Sequence, residues 1–335
     1  MLNIAYCTAR KEPHIEWFLS SLANEAAGDF SQLKIIIVDY WANPFGGTKQ
    51  AHEERRAYIF DRVDDAGIPQ EAVNWTAPKS TPWQGKQRQT QGDWFNVANS
   101  RNTALCYCED GHVAFVDDLS VLMPGWLGFA AQAAMIPKTI TLCRYQKVRD
   151  LIVEKGEVKS FTPQAMDSRA KHFRDLTRPH LNAPSDLHYG YVIGPVHAYL
   201  DVNGYVETET AGLGFEDVPT GINLAEKGYA FRYDPRMFTL ESEDGHDDTK
   251  FHKADYGVSP NDKSHLILQR SKTGNGYAAN DFWNGQSLAE LRDHVFAKAS
   301  NPFPAPRPNV REWYSGILLS QLHQYPDGSK VLRAQ

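Results

Sequence analysis

Two pairs of neighbouring acidic residues have the types and spacing to do chemistry. The first pair, Asp117 and Asp118, follows an apolar run at residues 113–116 that predicts a buried strand. Two ionised carboxylates side by side repel each other, so they require a cation or hydrogen-bond donors. In an open α/β sheet, ligands bind at the carboxyl ends of the strands. The stretch therefore predicts a ligand site, with a surface turn of two solvated acids as the alternative.

The second pair, Glu216 and Asp217, closes a Gly-x-Gly-x-Glu-Asp segment and precedes a helix predicted at residues 220–227. Gly212 and Gly214 allow the backbone to turn tightly before the acids. Acidic residues favour the first turn of a helix, where they cap free N–H groups and meet the positive end of the dipole. Helix capping is thus the alternative to a catalytic role, and the two roles are compatible.

The elements that must position these acids are alternating strands and helices. Residues 3–7 and 33–38 are short apolar runs that predict strands, and residues 14–23 between them have apolar side chains near the helical period. Polar residues, Thr8 and Asp39, stand at the ends of these strands. Strand, helix and strand in this order predict a parallel sheet in an α/β fold.

The rest of the chain continues this pattern with two exceptions. The polar stretch 78–93 predicts a functional loop, in which Trp83 is either a packed anchor or a stacking residue. The segment 151–180 is charged and less periodic, which indicates a surface insertion or an acceptor-side loop. Helices are predicted at 53–65, 94–108, 126–135, 264–271, 288–296 and 310–323, and strands at 74–77, 139–144, 189–197 and 229–233.

Composition places the chain among ordinary globular proteins. Of its 335 residues, 41% are hydrophobic and 23% charged, which allows a large core. The 35 basic and 41 acidic side chains give a formal net charge of −6, which argues against broad, charge-driven nucleic-acid binding. No apolar run reaches the about 20 residues that span a bilayer, and no signal peptide is evident. The four cysteines lack zinc-site spacing, so we expect reduced thiols and a cytoplasmic protein.

Several short stretches, taken in order, carry a resemblance to a known family. They are Ile4-Ala-Tyr-Cys-Thr-Ala-Arg-Lys-Glu12, Ile37-Val-Asp39, Phe95-Asn-Val-Ala-Asn-Ser-Arg-Asn-Thr-Ala104, Phe115-Val-Asp-Asp118 with Pro124-Gly-Trp-Leu127, and Asn203-Gly-Tyr-Val-Glu207 with Gly212-Leu-Gly-Phe-Glu-Asp217. Together they resemble the inverting nucleotide-sugar glycosyltransferases with the GT-A fold. The last pair is also similar to animal galactosyltransferase-type domains.

The resemblance implies a mixed, mostly parallel α/β sheet flanked by helices over residues 1–245. Residues 1–125 would be the nucleotide-sugar-binding half, and residues 126–245 the acceptor and catalytic half. Residues 246–335 match no family, and we expect them to form a mainly helical C-terminal extension packed on this domain.

The resemblance also implies transfer of a sugar from a nucleotide-sugar donor, expected to be a UDP-sugar, to an acceptor hydroxyl. Inversion needs a general base on that hydroxyl, opposite the leaving group. Asp217 is the implied base, and Glu216 the residue that orients the acceptor. A divalent cation neutralises the charge that develops on the departing nucleoside diphosphate. Asp117 and Asp118 are the implied ligands of Mn²⁺ or Mg²⁺, which suit oxygen donors.

Further contacts with the donor are implied at the strand ends and on one helix. Contacts with the base and ribose are implied for Thr8, Arg10, Glu12, Asp39 and Asp117. Asp39 would accept a hydrogen bond from a uracil-like base. Arg101 and Asn102 correspond to an Arg-Asn pair near the donor in this family, and an ordinary polar helix face is the alternative.

One position departs from the family pattern. Counted back from Pro124, the metal-binding second aspartate of the usual Asp-x-Asp motif falls at Leu119, which cannot ligate a metal. Asp118 takes this role through a shift of one residue, or the metal is held weakly, or catalysis proceeds without it. A further ligand is expected at His246, with His252 as the alternative, although a count from Pro235 falls near Glu241.

Two other functions fit parts of the pattern. A nucleotidyltransferase has a similar sheet, but it is expected to carry a Gly-rich phosphate loop, and residues 8–13 contain no glycine. A non-catalytic sugar- or nucleotide-binding relic of the family would explain Leu119. The acceptor stays open among glycan, lipid, protein, small molecule and modified DNA base. Basic residues in 147–178 keep a nucleic-acid acceptor among these choices.

Overall fold

The computed structural model describes residues 1–42, 48–79, 96–167, 169–207, 216–244 and 287–298 of the chain. Outside these ranges lie the predicted loop around Trp83, the glycines Gly212 and Gly214, His246, His252, and the helices predicted at 264–271 and 310–323.

The first half of the chain forms parallel strands whose polar ends share one edge. In sheet order they are β3 (Val73–Thr76), β2 (Leu33–Asp39), β1 (Leu2–Thr8) and β4 (His112–Asp117). All residues of β1 and β2 are buried, as strands covered on both faces by helices require. The register sets Thr8 opposite Asp39, and Cys7 opposite Asp117. The predicted strands at 3–7, 33–38 and 113–116 are confirmed.

The second half of the chain extends this sheet with both parallel and antiparallel strands. The added strands are β5 (Ser120–Leu122), β6 (Thr139–Glu154), β7 (Glu157–Met166), β8 (His180–Leu181), β9 (Val192–Pro195) and β10 (Ala230–Ser242). From β4 outward the order is β9, β6, β10 and β5. β9 runs antiparallel to β4 and β6, whereas β10 runs parallel to β6. The sheet is therefore mixed, as the resemblance implied.

Helices flank the sheet at most of the predicted places. They are α1 (Ile15–Ala26), α2 (Lys49–Asp65), α3 (Val97–Tyr107), α4 (Trp126–Ala134), α5 (Val196–Asp201), α6 (Asp217–Glu226) and α7 (Leu288–Lys298). α3 begins later than predicted because Asn96 caps it, its side chain accepting from the Asn99 N–H at 2.9 Å. None of these described helices is long and apolar enough to cross a membrane.

The predicted surface insertion at 151–180 is wrong in its first part. β6 continues to Glu154 and returns as β7 through a turn at Lys155 and Gly156. The segment has a charged, exposed face, which obscured the strand pattern, whereas Val148 and Leu151 pack into a small apolar cluster. The hairpin tip rests on α1, where Asn24 Nδ2 donates to the Lys155 carbonyl at 2.8 Å.

Each face of the sheet has its own apolar core. On one face, α1 and α4 pack through side chains such as Phe18 and Trp126. On the other face, α3 packs through Leu105, and α7 adds Leu288, which is fully buried. Arg292 of α7 donates from Nη2 to the Cys108 carbonyl at the end of α3, at 2.9 Å. The division of the chain into a domain and a C-terminal extension stays a prediction.

Candidate active site

The carboxyl ends of β1 and β4 bring three of the predicted residues together. Asp118 Oδ2 accepts a hydrogen bond from Thr8 Oγ1 at 2.9 Å and lies 3.0 Å from Arg10 Nε. Thr8 Oγ1 also accepts from the Arg10 backbone N–H at 3.1 Å. Because β1 and β4 are neighbours in the sheet, residues far apart in sequence form one contact group.

The two adjacent aspartates keep part of their surface open. The Asp117 side chain is 28% exposed and the Asp118 side chain 18%. Burial raises the pKa of Asp118, while the charge of Arg10 and the Thr8 hydroxyl oppose this shift. Within the described residues, no hydrogen bond engages Asp117 Oδ2 or Asp118 Oδ1. These two oxygens are therefore available to a ligand or a cation.

Leu119 forms the sharp turn that follows this pair. Its φ of 56° lies in the left-handed region, which is costly for leucine. Its backbone N–H donates to the Tyr6 hydroxyl at 3.2 Å, and its side chain is buried. The position that the family pattern assigns to a second aspartate is thus a packing position here.

Arg101 of α3 joins both acidic pairs. Its Nη2 donates to Asp117 Oδ1 at 3.1 Å, and its Nη1 donates to Glu216 Oε1 at 2.7 Å. Nη1 also donates to Asp217 Oδ1 at the start of α6. The Arg101 side chain is almost fully buried. One guanidinium therefore holds three carboxylates from two separate parts of the chain within a single cluster.

The cluster carries more negative than positive charge. Burial raises the pKa of Asp217 well above its usual range, and Arg101 opposes this while Glu216 and Asp117 add to it. Burial also raises the pKa of Glu216, again against the charge of Arg101. Glu216 Oε2 is buried without a hydrogen-bond partner among the described residues. Such a site favours a bound proton or cation beside the carboxylates.

Comparison with known proteins identifies the fold. No family model and no curated protein sequence matches this chain. The crystal structure of S. aureus TarS 1-349 in complex with UDP-GlcNAc matches with a TM-score of 0.52 at 15% identity, covering 95% of this chain and 79% of that one. The chain has the GT-A fold. The fold implied by the short sequence stretches is thereby confirmed.

Two further GT-A structures are similar at lower scores. Mannosyltransferase PcManGT from Pyrobaculum calidifontis, in complex with GDP-Man and Mn²⁺, has a TM-score of 0.47 at 14% identity over 95% of this chain and 74% of its own. GalNAc-T7 with UDP, GalNAc and Mn²⁺ has a TM-score of 0.48 at 10% identity over 88% of this chain. This chain spans 54% of GalNAc-T7 and 42% of a longer TarS structure.

Glu241 is an acid of the GT-A sheet that the sequence prediction did not choose. β10 pairs with β5 and sets Glu241 opposite Ser120, two residues beyond Asp118. Glu241 Oε2 accepts from the Tyr191 hydroxyl at 3.0 Å. Burial raises its pKa to about 7, with Lys147 opposing and Asp117 adding to the shift. The count from Pro235 that falls near Glu241 is the sequence signal that points to this residue. In the part of the chain that the structure describes, His, Cys, Asp and Glu side chains form no group of three that could hold a metal.

Gly190 is a second residue that sequence reasoning missed. A Cβ at this position would lie 2.3 Å from Asp117 Oδ2 and 2.7 Å from Arg101 Nη2. Its backbone therefore packs directly against the Asp117–Arg101 pair, and a larger residue would displace one of them. The pattern of the sequence gives no sign of this requirement, because it depends on β9 lying beside β4.

Asn102 lies on α3 but faces away from Asp117, Glu216 and Asp217. Its Nδ2 donates to the Tyr205 carbonyl at 2.8 Å and to Glu207 Oε1 at 2.7 Å. Its Oδ1 accepts from the Tyr205 backbone N–H at 2.7 Å. The side chain is fully buried, so its contacts hold the segment at 205–207 against α3. The structure does not bring Asn102 into the cluster around Arg101.

Asp39 is also buried, and its acceptor positions are filled by the protein. Oδ1 accepts from the Trp41 N–H at 2.9 Å and from Arg55 Nη2 at 3.1 Å. Oδ2 accepts from Arg55 Nε at 2.7 Å and from Trp75 Nε1 at 3.1 Å. A carboxylate offers about four acceptor positions, so a base would have to displace one partner. Glu12, by contrast, is exposed in the loop after β1.

Proposed function

We propose that this protein is an inverting glycosyltransferase that moves a sugar from a nucleotide-sugar donor, a UDP-sugar, to an acceptor hydroxyl. The observation that carries the proposal is the Arg101 cluster, in which Asp117 at a strand end of the GT-A sheet meets Glu216 and Asp217. The UDP-GlcNAc bound in the TarS structure supports a uridine donor.

Asp217 serves as the general base in this proposal. Its carboxylate takes the proton of the acceptor hydroxyl, and the oxygen attacks the anomeric carbon. The bond between that carbon and the donor phosphate breaks, and the nucleoside diphosphate leaves with the electron pair. Burial raises the pKa of Asp217, which strengthens it as a base, while Arg101 opposes the shift and favours the ionised form. Glu216 orients the acceptor from the next position.

A divalent cation fits the acids at the end of β4. Asp117 Oδ2 and Asp118 Oδ1 have no hydrogen bond among the described residues, and the surrounding charge is negative. Carboxylate oxygens suit Mn²⁺ and Mg²⁺. When bound, the cation neutralises charge on the leaving diphosphate. Glu241 lies opposite Ser120 in the adjacent strand pair, but the described acids form no group of three that could hold a metal, so we propose Asp117 and Asp118 alone as the protein ligands.

The remaining donor contacts fall into direct and supporting roles. Thr8 and Arg10 stay proposed donor contacts because they already surround Asp118. Asp39 acts through Arg55, which donates from Nη2 to the Arg10 carbonyl at 2.9 Å and so fixes the loop after β1. Glu12, in the same loop, stays a proposed contact with the nucleotide. Asn102 supports the fold of the segment beside α3.

Asp217→Asn is the decisive test of this function. The amide cannot accept the hydroxyl proton, so transfer should be abolished while the nucleotide sugar still stabilises the protein against heat. Thermal stabilisation by a panel of nucleotide sugars identifies the donor, and donor consumption measures turnover. Near-normal turnover in the variant would remove Asp217 from the role of base.

The metal is tested separately. Chelation with EDTA followed by return of Mn²⁺ should abolish and then restore donor hydrolysis. Binding of UDP-sugars without hydrolysis, with or without Mn²⁺, would instead favour a non-catalytic binding protein, the alternative to which the buried Leu119 points.

A further inference from the structure

Arg169 is a buried arginine that the proposed mechanism does not use. It begins a short 3-10 turn after β7, and only 2% of its surface is exposed. Its Nε donates to Asp167 Oδ1 at 2.8 Å, and its backbone N–H donates to the same oxygen at 2.9 Å. Asp167 therefore binds the Nε side of the guanidinium and accepts no hydrogen bond from its terminal nitrogens.

The two terminal nitrogens of Arg169 have no hydrogen-bond partner among the residues that the structure describes. Nη1 and Nη2 are both buried without a hydrogen bond among the described residues. Unsatisfied donors on a buried charge destabilise a protein, because they lose their hydrogen bonds to water and gain none. Arg55 shows the ordinary structural case, because its Nε and both terminal nitrogens donate to Asp39 and to backbone carbonyls. The two terminal N–H groups of Arg169 are thus donors that no described residue accepts.

Two tyrosine rings pack against this guanidinium. Its central carbon lies 5.1 Å from the centre of the Tyr145 ring and 5.0 Å from that of Tyr189. The Tyr145 ring is stacked between Tyr189, at 5.2 Å, and Tyr191, at 5.1 Å. Tyr189 is 36% exposed, so the stack ends at the surface. Cation–π contacts hold the charge in place without using its N–H groups.

The Arg169 group adjoins the Arg101 cluster. Gly190, which follows Tyr189 in the chain, is the residue whose backbone packs against Asp117 and Arg101. Burial raises the pKa of Asp217, and Arg169 is among the positive charges that lower it. Exposed basic side chains continue from the turn at Lys171, His172, Arg174 and Arg178. Arg169 therefore adds a second positive charge near the proposed base, besides that of Arg101.

We propose that Arg169 binds an oxyanion of the acceptor, so that the substrate class is an acceptor bearing a phosphate or carboxylate group. This inference rests on the proposed function, since it places that group beside Asp217. A guanidinium with both terminal nitrogens free forms paired hydrogen bonds with a phosphate or carboxylate. The rings of Tyr145 and Tyr189 pack against the guanidinium and keep its terminal nitrogens oriented for the ligand.

The test uses inorganic phosphate as the probe, with saturating UDP present to fill the donor site. Phosphate replaces chloride at constant ionic strength, and the melting temperature gives an apparent affinity. The variants are Arg169→Gln and Arg169→Lys, and the matched control is Arg174→Gln, an exposed arginine of the same segment. Wild type and the control should bind phosphate alike, whereas both Arg169 variants should bind about tenfold or more weakly.

Equal phosphate binding in wild type and Arg169→Gln, or no binding to wild type, would overturn the inference. If Arg169→Gln does not fold, Arg169→Lys decides, because it keeps the charge and loses the fork. Glucose 6-phosphate and glucuronate, compared with glucose, then separate phosphate from carboxylate. Stabilisation by a DNA oligonucleotide but by neither sugar anion would also overturn the inference, in favour of a nucleic-acid acceptor. Failure of every nucleotide sugar to stabilise wild type would refute the proposed function instead.

Discussion

At the candidate site, single side chains contact several partners. Arg101 is the main example, because its two terminal nitrogens contact Asp117, Glu216 and Asp217. Removing one partner of such a buried network leaves the others unpaired, which costs more than the contact itself. The narrow space around the cluster makes backbone positions as important as the charged residues.

Gly190→Ala should lower turnover by about tenfold or more while leaving the protein folded. The added Cβ would stand 2.3 Å from Asp117 Oδ2, so the carboxylate or Arg101 must move. Initial rates of donor consumption measure the loss, and circular dichroism checks the fold. Unchanged turnover would show that the Asp117–Arg101 geometry is not needed for transfer.

His188 should make the protein lose stability in acid. Burial, together with Arg101 and Arg169, lowers its pKa to about 3. The unfolded chain binds a proton near pH 6.5 and the folded chain does not, so stability falls as the pH drops below that value. The expected slope is about 1 kcal/mol per pH unit.

Denaturant unfolding of wild type and His188→Gln between pH 7 and pH 5, about two units, isolates this effect from other groups. Wild type should lose stability relative to the variant as the pH falls. Parallel curves for the two proteins would show that His188 titrates normally in the folded state.

At the scale of elements, glycines set how closely strands and helices approach. Gly156 lies in the turn between β6 and β7 with a φ of 77°, and a Cβ there would be 2.4 Å from the Ser20 carbonyl carbon in α1. Gly67 has a similar φ of 70°, with nothing within 4 Å of its Cβ position. An alanine at either position would have to adopt a left-handed backbone conformation. Only at Gly156 would its Cβ also clash with a neighbouring helix.

Gly156→Ala should therefore destabilise the protein more than Gly67→Ala. Both pay about 1–2 kcal/mol for a left-handed alanine, and only Gly156→Ala must also separate the hairpin from α1. Urea unfolding of the two variants gives the difference. Equal losses would mean that the hairpin tip shifts without cost.

At the scale of the whole molecule, α7 is attached to the same helix that carries Arg101. Leu288 is fully buried in the core beneath α3, and its backbone N–H donates to Asn203 Oδ1 at 2.7 Å. Arg292 donates to the Cys108 carbonyl at the end of α3. α7 thus contributes to the stability of the GT-A sheet although it begins about 45 residues after the end of β10.

Leu288→Ala should reduce the free energy of unfolding by about 2–5 kcal/mol, because it removes buried methyl groups and leaves a cavity. Leu181→Ala is the matched control, since Leu181 is 74% exposed and should lose little. Urea unfolding measures both variants. Equal, small losses would show that α7 does not contribute to the core.

The sequence by itself determined the local elements and the chemical types at the strand ends. Apolar runs gave β1, β2 and the strand before Asp117, and helical periods gave α1 and α7, because local patterns decide which face of an element is buried. The hairpin of β6 and β7 was missed because its exposed face is charged.

Only the tertiary structure decided which of the candidate residues meet. Arg101 reaches Glu216 and Asp217 from 115 and 116 residues away, a distance that no local pattern encodes. The sheet order likewise sets Glu241 of β10 opposite Ser120 of β5. Strand neighbours are chosen by the packing of the whole core, so the residue types at the site were predictable and their partners were not.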